Sequence, residues 1–323
     1  MKEFTVGKND AGQRLDRFVA KNAPALPSSL VQKYIRIKRV KVGGKGAKRD
    51  LKLAEGDSVQ MYVNDEFFET ANAGGAFLRV AAPKLDVIHE DENIMLVSKE
   101  AGVLCHGDGG YDYASLISRI QAHLFQSGQW DPRDENSFAP ALCNRIDRNT
   151  SGIVIAAKNA ETLRIINEKI KLREIDKYYL AAVHGSPAPS TGTLEGYLFK
   201  DSVKNTVYVT AGQNPGSRFA STKYRTMASA NGLSLLECLL VTGRTHQIRA
   251  QLAAAGHPLL GDGKYGSERL NRPYGESRQA LCSYRLVFAF RTDAGLLSYL
   301  GGKAFRVGEV GFAKKYFPSI DIE

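Results

Sequence analysis

The sequence predicts an α+β chain of at least two domains, and three observations predict it. First, helically spaced apolar residues recur, as in Leu15, Phe18 and Val19, in Leu116, Ile117, Ile120 and Leu124, and in Leu163, Ile166 and Ile170. Second, these stretches are interleaved with runs that alternate or stay apolar as strands do, at 58–63, 153–157 and 177–183. Third, a basic stretch gives way to an acidic, alanine- and glycine-rich one at 64–82, a shift of composition that marks a boundary. A chain of 323 residues can bury a core in each of two domains.

In chain order, Phe4–Val6 reads as a short strand and the segment from Gly12 opens a helix. After the Pro24–Pro27 break, Ser28 or Ser29 suits the N-cap of a second helix through Leu30, Val31, Tyr34 and Ile35. Val40 and Val42 lead to a Gly43-Gly44 turn, and 58–63 alternates as a strand. Two strands joined by a polar turn occupy 85–99, and a helix is expected over 111–126. Further strands are expected at 177–183, within 192–209, at 221–225 and at 234–242, the last running into a helix that carries Arg249. Apolar residues after 294, among them Phe305, Val310 and Phe317, are expected to pack on the main domain.

Lysine and arginine number 44 against 34 acidic residues, a formal charge of +10, which favours an anionic partner, nucleic acid first. The charge concentrates at Lys33, Arg36, Lys38, Arg39 and Lys41, on a predicted basic helix and hairpin suited to a phosphate backbone. Four widely spaced cysteines suggest neither a zinc site nor a disulfide framework, which fits a reducing cytoplasm. The N-terminus lacks the apolar core of a signal peptide, and no apolar run reaches the ~18 residues of a membrane span. Neither G-x-G-x-x-G nor a phosphate-loop sequence occurs.

The stretch 141–158 organises the rest. It ends in the apolar run Ile153–Ala157, and before that run Asp147 stands between Arg145 and Arg148, followed by Thr150, Ser151 and Gly152. A carboxylate between guanidinium groups is favoured in its charged form, and the turn-forming residues can aim it at a cleft. The plainer alternative is a structural ion pair in a loop.

The segment N-R-I-D-R-N-T-S-G, Asn144–Gly152, resembles the H-R-L-D-x-x-T-S-G signature of the RluA family of pseudouridine synthases, with Asn144 in place of histidine. Further segments are similar to that family: Lys99, Gly102 and His106 in its opening motif, K-Y-Y-L-A-A-V-H-G at 177–185, and T-G-R-T-H-Q-I-R-A-Q-L at 242–252, with Gln251 in place of histidine. The segments 256–266 and 281–288 continue the likeness. At the N-terminus, L-A-E-G-D-S-V at 53–59 resembles the small RNA-binding domain named after ribosomal protein S-four.

The resemblance implies a mixed, largely antiparallel sheet flanked by helices, preceded by a small α/β domain: an S-four-like domain at 1–64, a linker at 65–84 and a catalytic domain at 85–323. It implies Asp147 as the catalytic residue, Tyr179 stacking on the target base, Arg249 pairing with the aspartate, and Arg145 entering the space a flipped-out base vacates. Base stacking of this kind is worth ~1–3 kcal/mol. Arg244 is a candidate RNA contact, and with His246 reads as a helix-start group beside the site. The reaction needs neither cofactor nor metal. Structured RNA is the expected partner, large-subunit ribosomal RNA first, for a monomer. Transfer RNA and a non-catalytic role in ribosome assembly are the alternatives. A glycoside hydrolase would need a second carboxylate, which nothing beside Asp147 supplies.

Overall fold

The computed structural model describes residues 1–68, 75–107 and 112–320. Residues 69–74 of the expected linker, and the expected helix start at Tyr111, lie outside them. The chain forms two compact units, one of Met1–Lys84, His106–Ala141 and Ala157–Arg164, the other of Leu85–Cys105, Leu142–Ala156 and Ile165–Glu323.

In the first unit, β1 (Lys2–Thr5), α1 (Leu15–Asn22), α2 (Ser28–Arg36), β2 (Val40–Val42), β3 (Lys45–Gly46) and β4 (Ser58–Met61) form an antiparallel sheet in the order β1-β4-β2-β3 with two helices. Leu15, Phe18 and Val19 share one face of α1, because positions three and four apart stack on a helix. They pack with Val31 and Ile35 of α2 on Val40, Val59 and Met61. Ser28 is the first helical residue rather than the cap; Pro27 holds that place in extended geometry, with no side-chain cap bond. Proline's fixed backbone sets the entry there, so no serine hydroxyl is needed.

α3 (Leu116–Gln126) starts later than the expected boundary at 111, at the first of its helically spaced apolar residues, where the Ser115 hydroxyl accepts the Ser118 N–H and so caps the helix. Within the stretch read as a linker, Asp65–Phe68 and Ala76–Arg79 form 3-10 turns. Phe77 is buried edge-on against Phe125 and Trp130, with ring centroids 5.4 and 5.2 Å away. Asn136 donates to the Thr5 carbonyl at 2.7 Å and to Asp10 at 2.8 Å. That loop, which the sequence groups with the catalytic domain, is thereby bonded to the N-terminal strand.

The remaining elements are β5 (Asp86–Glu90), β6 (Ile94–Lys99), β7 (Ala141–Leu142), β8 (Ser151–Ala157), α4 (Ala160–Lys171), β9 (Ile175–His184), β10 (Thr191–Asp201), β11 (Thr206–Thr210), β12 (Arg218–Ala230), β13 (Leu233–Leu240), α5 (Gln247–Ala254), α6 (Glu268–Asn271), β14 (Leu281–Phe288), β15 (Ala304–Arg306) and α7 (Gly311–Tyr316). The strands make one eleven-stranded sheet in the order β11-β10-β12-β13-β9-β14-β8-β6-β5, with β15 on β14 and β7 on β8. From β11 across to β14 the pairs are antiparallel, and β14 runs parallel to β8. The fold is therefore α+β, with a mixed and largely antiparallel sheet.

Alternation along β9 sends Leu180 and Ala182 to one face, where they join Leu235, Val310, Ala313 and Phe317. The C-terminal stretch covers that face, as its apolar residues suggested. Tyr179 points to the other face, where the site is built.

Candidate active site

The Asp147 loop is held at several points. Asn144 Oδ1 accepts the Ile155 N–H at 2.8 Å, and Cys143 donates its N–H to the Ile155 carbonyl at 2.8 Å. Asparagine at 144 thus ties the loop to β8. Behind Asp147, the Thr150 N–H closes a turn on the Asp147 carbonyl at 3.1 Å, and Gln279 donates to the Thr150 hydroxyl at 2.9 Å. Gly152 has φ +109, and a Cβ there would meet the Ser283 carbonyl oxygen at 2.2 Å, so the close approach of β8 to β14 needs glycine.

Lys99 is almost wholly buried, and its Nζ donates to the carbonyls of Glu100, Val103 and Arg148 at 3.0, 2.8 and 3.0 Å. Burial pulls its amine down to about 8, although the charge of Asp147 acts the other way. One ammonium group thereby organises both the opening-motif loop and the residue that follows the aspartate.

The two arginines beside Asp147 in sequence are not its partners. Arg148 Nε donates to the Gly102 carbonyl at 3.1 Å, and Arg145 is exposed at the pocket wall. The ion-pair partner is Arg249 of α5, whose Nη1 donates to Asp147 Oδ2 at 2.9 Å. Nε and Nη2 of the same guanidinium grip the two oxygens of Asp262 at 2.7 and 3.0 Å. Burial would raise Asp262, but the fork of Arg249 and the N–H groups of Lys264 and Tyr265 hold it below its ordinary value. Arg249 in turn rises above its own value against the cost of burial, because two carboxylates face it.

Asp147, Arg145, Tyr179, Arg244 and Arg249 line one cavity of about 300 Å³, together with Lys177 and His246. Burial pushes the Tyr179 phenol upward, so it is neutral. Burial likewise pushes Lys177 down. His246 sits immediately before α5 in left-handed geometry, φ 51. Its Nδ1 lies 2.8 Å from the Tyr265 hydroxyl, and its Nε2 lies 3.9 Å from Asp147 Oδ2. Burial lowers its imidazole below the ordinary value, with Asp147 opposing. Arg244 donates from Nε to the Phe219 carbonyl at 3.2 Å. Gln251 bonds Thr222 at 2.7 Å and the Leu194 carbonyl at 2.9 Å, which makes it a strand-to-helix tie.

Sequence reading left Lys99, Lys177, Asp262 and Tyr265 without roles. Each lies inside a motif quoted for the family likeness, so position in a motif was the signal available. In the first unit, Lys33, Arg36 and Lys38 line a groove with Lys48 and Arg49. Arg39 and Lys41 lie instead over the rings of Tyr34 and Tyr62, each 5.2 Å from the centroid. Among the described residues no three His, Cys, Asp or Glu side chains gather as a metal site, and no helix is long and apolar enough to cross a membrane.

A fold of this kind is seen in solved structures. The chain aligns with human RNA pseudouridylate synthase domain containing 4 at a TM-score of 0.55 and 19% identity, covering 70% of this chain and 89% of that one. Human RNA pseudouridylate synthase domain containing 1 gives 0.52 and 19%, covering 72% and 94%. These likenesses establish the fold.

The family model described as RNA pseudouridylate synthase matches residues 93–254. The chain is 32% identical over 289 residues to an uncharacterised RNA pseudouridine synthase of Mycoplasma genitalium, covering 88% of each. It is 31% identical over 268 residues to ribosomal large subunit pseudouridine synthase C of Vibrio vulnificus, covering 82% of this chain and 80% of that protein. The Escherichia coli protein of that name is 29% identical over 282 residues, covering 87% and 85%. The chain belongs to the RNA pseudouridylate synthase family. It is an isomerase that converts uridine in RNA to pseudouridine.

Proposed function

We propose that this enzyme isomerises particular uridines of large-subunit ribosomal RNA, with Asp147 as its catalytic residue. The observation that carries the reading is the Asp147 carboxylate on the wall of a pocket, with Oδ2 bonded to Arg249 at 2.9 Å and Oδ1 without a hydrogen bond among the described residues. One oxygen is held and the other is available to a substrate. The ribosomal target is supported by the names of the Vibrio and Escherichia relatives. The enzyme acts in the cytoplasm as a monomer, where ribosomal RNA is met.

The reaction breaks the N1–C1′ bond of uridine, turns the base, joins C5 to C1′ and moves the C5 proton to solvent. An ionised carboxylate serves it by attacking C1′ or by taking a proton from the sugar. Arg249 fixes the carboxylate's orientation. Tyr179 offers a flat, neutral ring against which the freed base turns. Arg145, exposed at the mouth, can fill the stack the nucleotide leaves. The groove of Lys33, Arg36 and Lys38 supplies sequence-independent attraction to phosphates.

A non-catalytic RNA-binding role does not call for a carboxylate held against an anionic ligand. Asp147→Asn is expected to keep RNA affinity and lose isomerisation, measured as tritium release from 5-tritiated uridine in ribosomal RNA. Full tritium release by that variant overturns the role of Asp147. Mapping pseudouridine in total RNA with and without the gene tests the ribosomal target. A missing modification confined to transfer RNA overturns it.

A further inference from the structure

Two residues beside the pocket, His246 and Tyr265, form a hydrogen-bond chain that the reaction described above does not use. The Tyr265 hydroxyl oxygen accepts the Val207 N–H at 2.8 Å and lies 2.8 Å from His246 Nδ1. Tyr265 is itself fixed, because its backbone N–H donates to Asp262 Oδ1 at 3.1 Å. The Arg249 guanidinium lies 5.0 Å from the centre of its ring. A phenol carries one proton. With Val207 already donating to the oxygen, that proton finds an acceptor in Nδ1, the imidazole nitrogen within reach. Nδ1 then carries a lone pair, and the ring proton sits on Nε2, the nitrogen on the Asp147 side, 3.9 Å from Oδ2.

We infer that Tyr265 is a positioning residue that holds His246 neutral, with its proton on Nε2 facing Asp147, so that the imidazole adds no further positive charge beside the reacting carboxylate. This rests on the reading of Asp147 as the catalytic residue. An imidazolium would carry protons on both nitrogens. Nδ1–H would then meet an oxygen that already accepts one N–H, and the phenol proton would lose its acceptor. A charged ring would also stand beside Arg249 and Lys264, which oppose it, as well as beside Asp147 and Asp262, which favour it. Net disfavour of the charged form fits its half-buried place against these groups.

The consequence is chemical. Asp147 already pairs with Arg249 and feels the charge of Lys99. A further cation would stabilise the carboxylate more and weaken it as nucleophile or base, since reactivity follows basicity. A neutral Nε2–H offers a hydrogen bond without adding charge. The 3.9 Å separation is too long for that bond in the free protein, and such contacts shorten once substrate excludes water.

The test uses the full chain labelled with ¹⁵N-histidine, and single-turnover tritium release across pH. The expected result for the wild type is a neutral His246 with a protonated Nε2 and an unprotonated Nδ1 at neutral pH. In Tyr265→Phe, which keeps the ring beside Arg249, the His246 titration midpoint moves up by about one pH unit or more. The acidic limb of the rate profile moves up with it. Adding His246→Gln, which cannot titrate, removes that displacement from the Tyr265→Phe background. A proton on Nδ1 in the wild type overturns the inference. So does a Tyr265→Phe profile and titration that coincide with wild type. Full tritium release by Asp147→Asn would sink the catalytic reading instead, while the nitrogen signals still decide the tautomer.

Discussion

Arg249 answers to two carboxylates at once, and the consequences of losing it differ for each. Asp262 is buried with both oxygens on the guanidinium, whereas Asp147 is a quarter exposed at the pocket. Arg249→Ala leaves Asp262 as an uncompensated buried charge, a loss of about 3–5 kcal/mol of stability by urea unfolding. Replacing both partners, as Arg249→Leu with Asp262→Leu, should restore part of that stability, the N–H groups of Lys264 and Tyr265 losing their acceptor, and still leave the enzyme inactive. Recovery of activity along with stability would mean that Arg249 does nothing for Asp147. Lys99 makes a second prediction at this scale. Its amine is near 8 in the fold against 10.5 in an open chain, so the unfolded state binds more protons between those values. Stability therefore carries a penalty below pH 8 that is relieved as pH rises toward 10.5. Measured against Lys99→Met, the wild type should gain up to roughly 3 kcal/mol over that interval. A constant difference from pH 7 to 10 would show that Lys99 is not buried as its three carbonyl bonds suggest.

At the scale of elements, the approach of β8 to β14 is set by one residue. Gly152→Ala puts a methyl group into the Ser283 backbone at a φ that side chains rarely adopt. The expected cost is at least about 1–3 kcal/mol in denaturant unfolding, with loss of tritium release because the Asp147 loop enters β8 there. Near-wild-type values would mean that the two strands part freely. How much of this was legible in the sequence follows from the range of each interaction. The buried faces of α1 and β9 were readable, because Leu15, Phe18 and Val19 recur with the helix period and Tyr179, Ala181 and Val183 with the strand period. The start of α3 was set too early at 111, upstream of Leu116, the first residue of the apolar spacing, where the Ser115 hydroxyl caps the helix. The neighbour charges at Arg145 and Arg148 pointed to the wrong partners for Asp147. Spacing reports what is close along the chain, while Arg249 reaches Asp147 across 102 positions. Family likeness supplied that pair where periodicity could not. It did not supply the turn of His246 into the left-handed region at the start of α5.

For the molecule as a whole, the basic groove and the pocket lie in different parts of the chain, and the two can be separated by experiment. Lys33 and Arg36 lie in the first unit, whereas Asp147, Tyr179 and Arg249 lie in the second. If the basic groove holds RNA through phosphates, Lys33→Gln with Arg36→Gln removes two charge contacts and the counterions they release. The dependence of log affinity on log salt should become shallower by roughly 1.4–1.8, and affinity at low salt should fall for any RNA sequence alike. The single-turnover rate at saturating RNA should stay near wild type, because neither residue touches the pocket. Arg39 and Lys41 serve as the internal contrast. Their charges lie over Tyr34 and Tyr62, so part of what they contribute is packing. Their neutral variants should therefore lose stability as well as affinity. A fall in the saturating rate of the Lys33 and Arg36 variant, with an unchanged salt slope, would assign these residues to the chemistry rather than to holding the polymer.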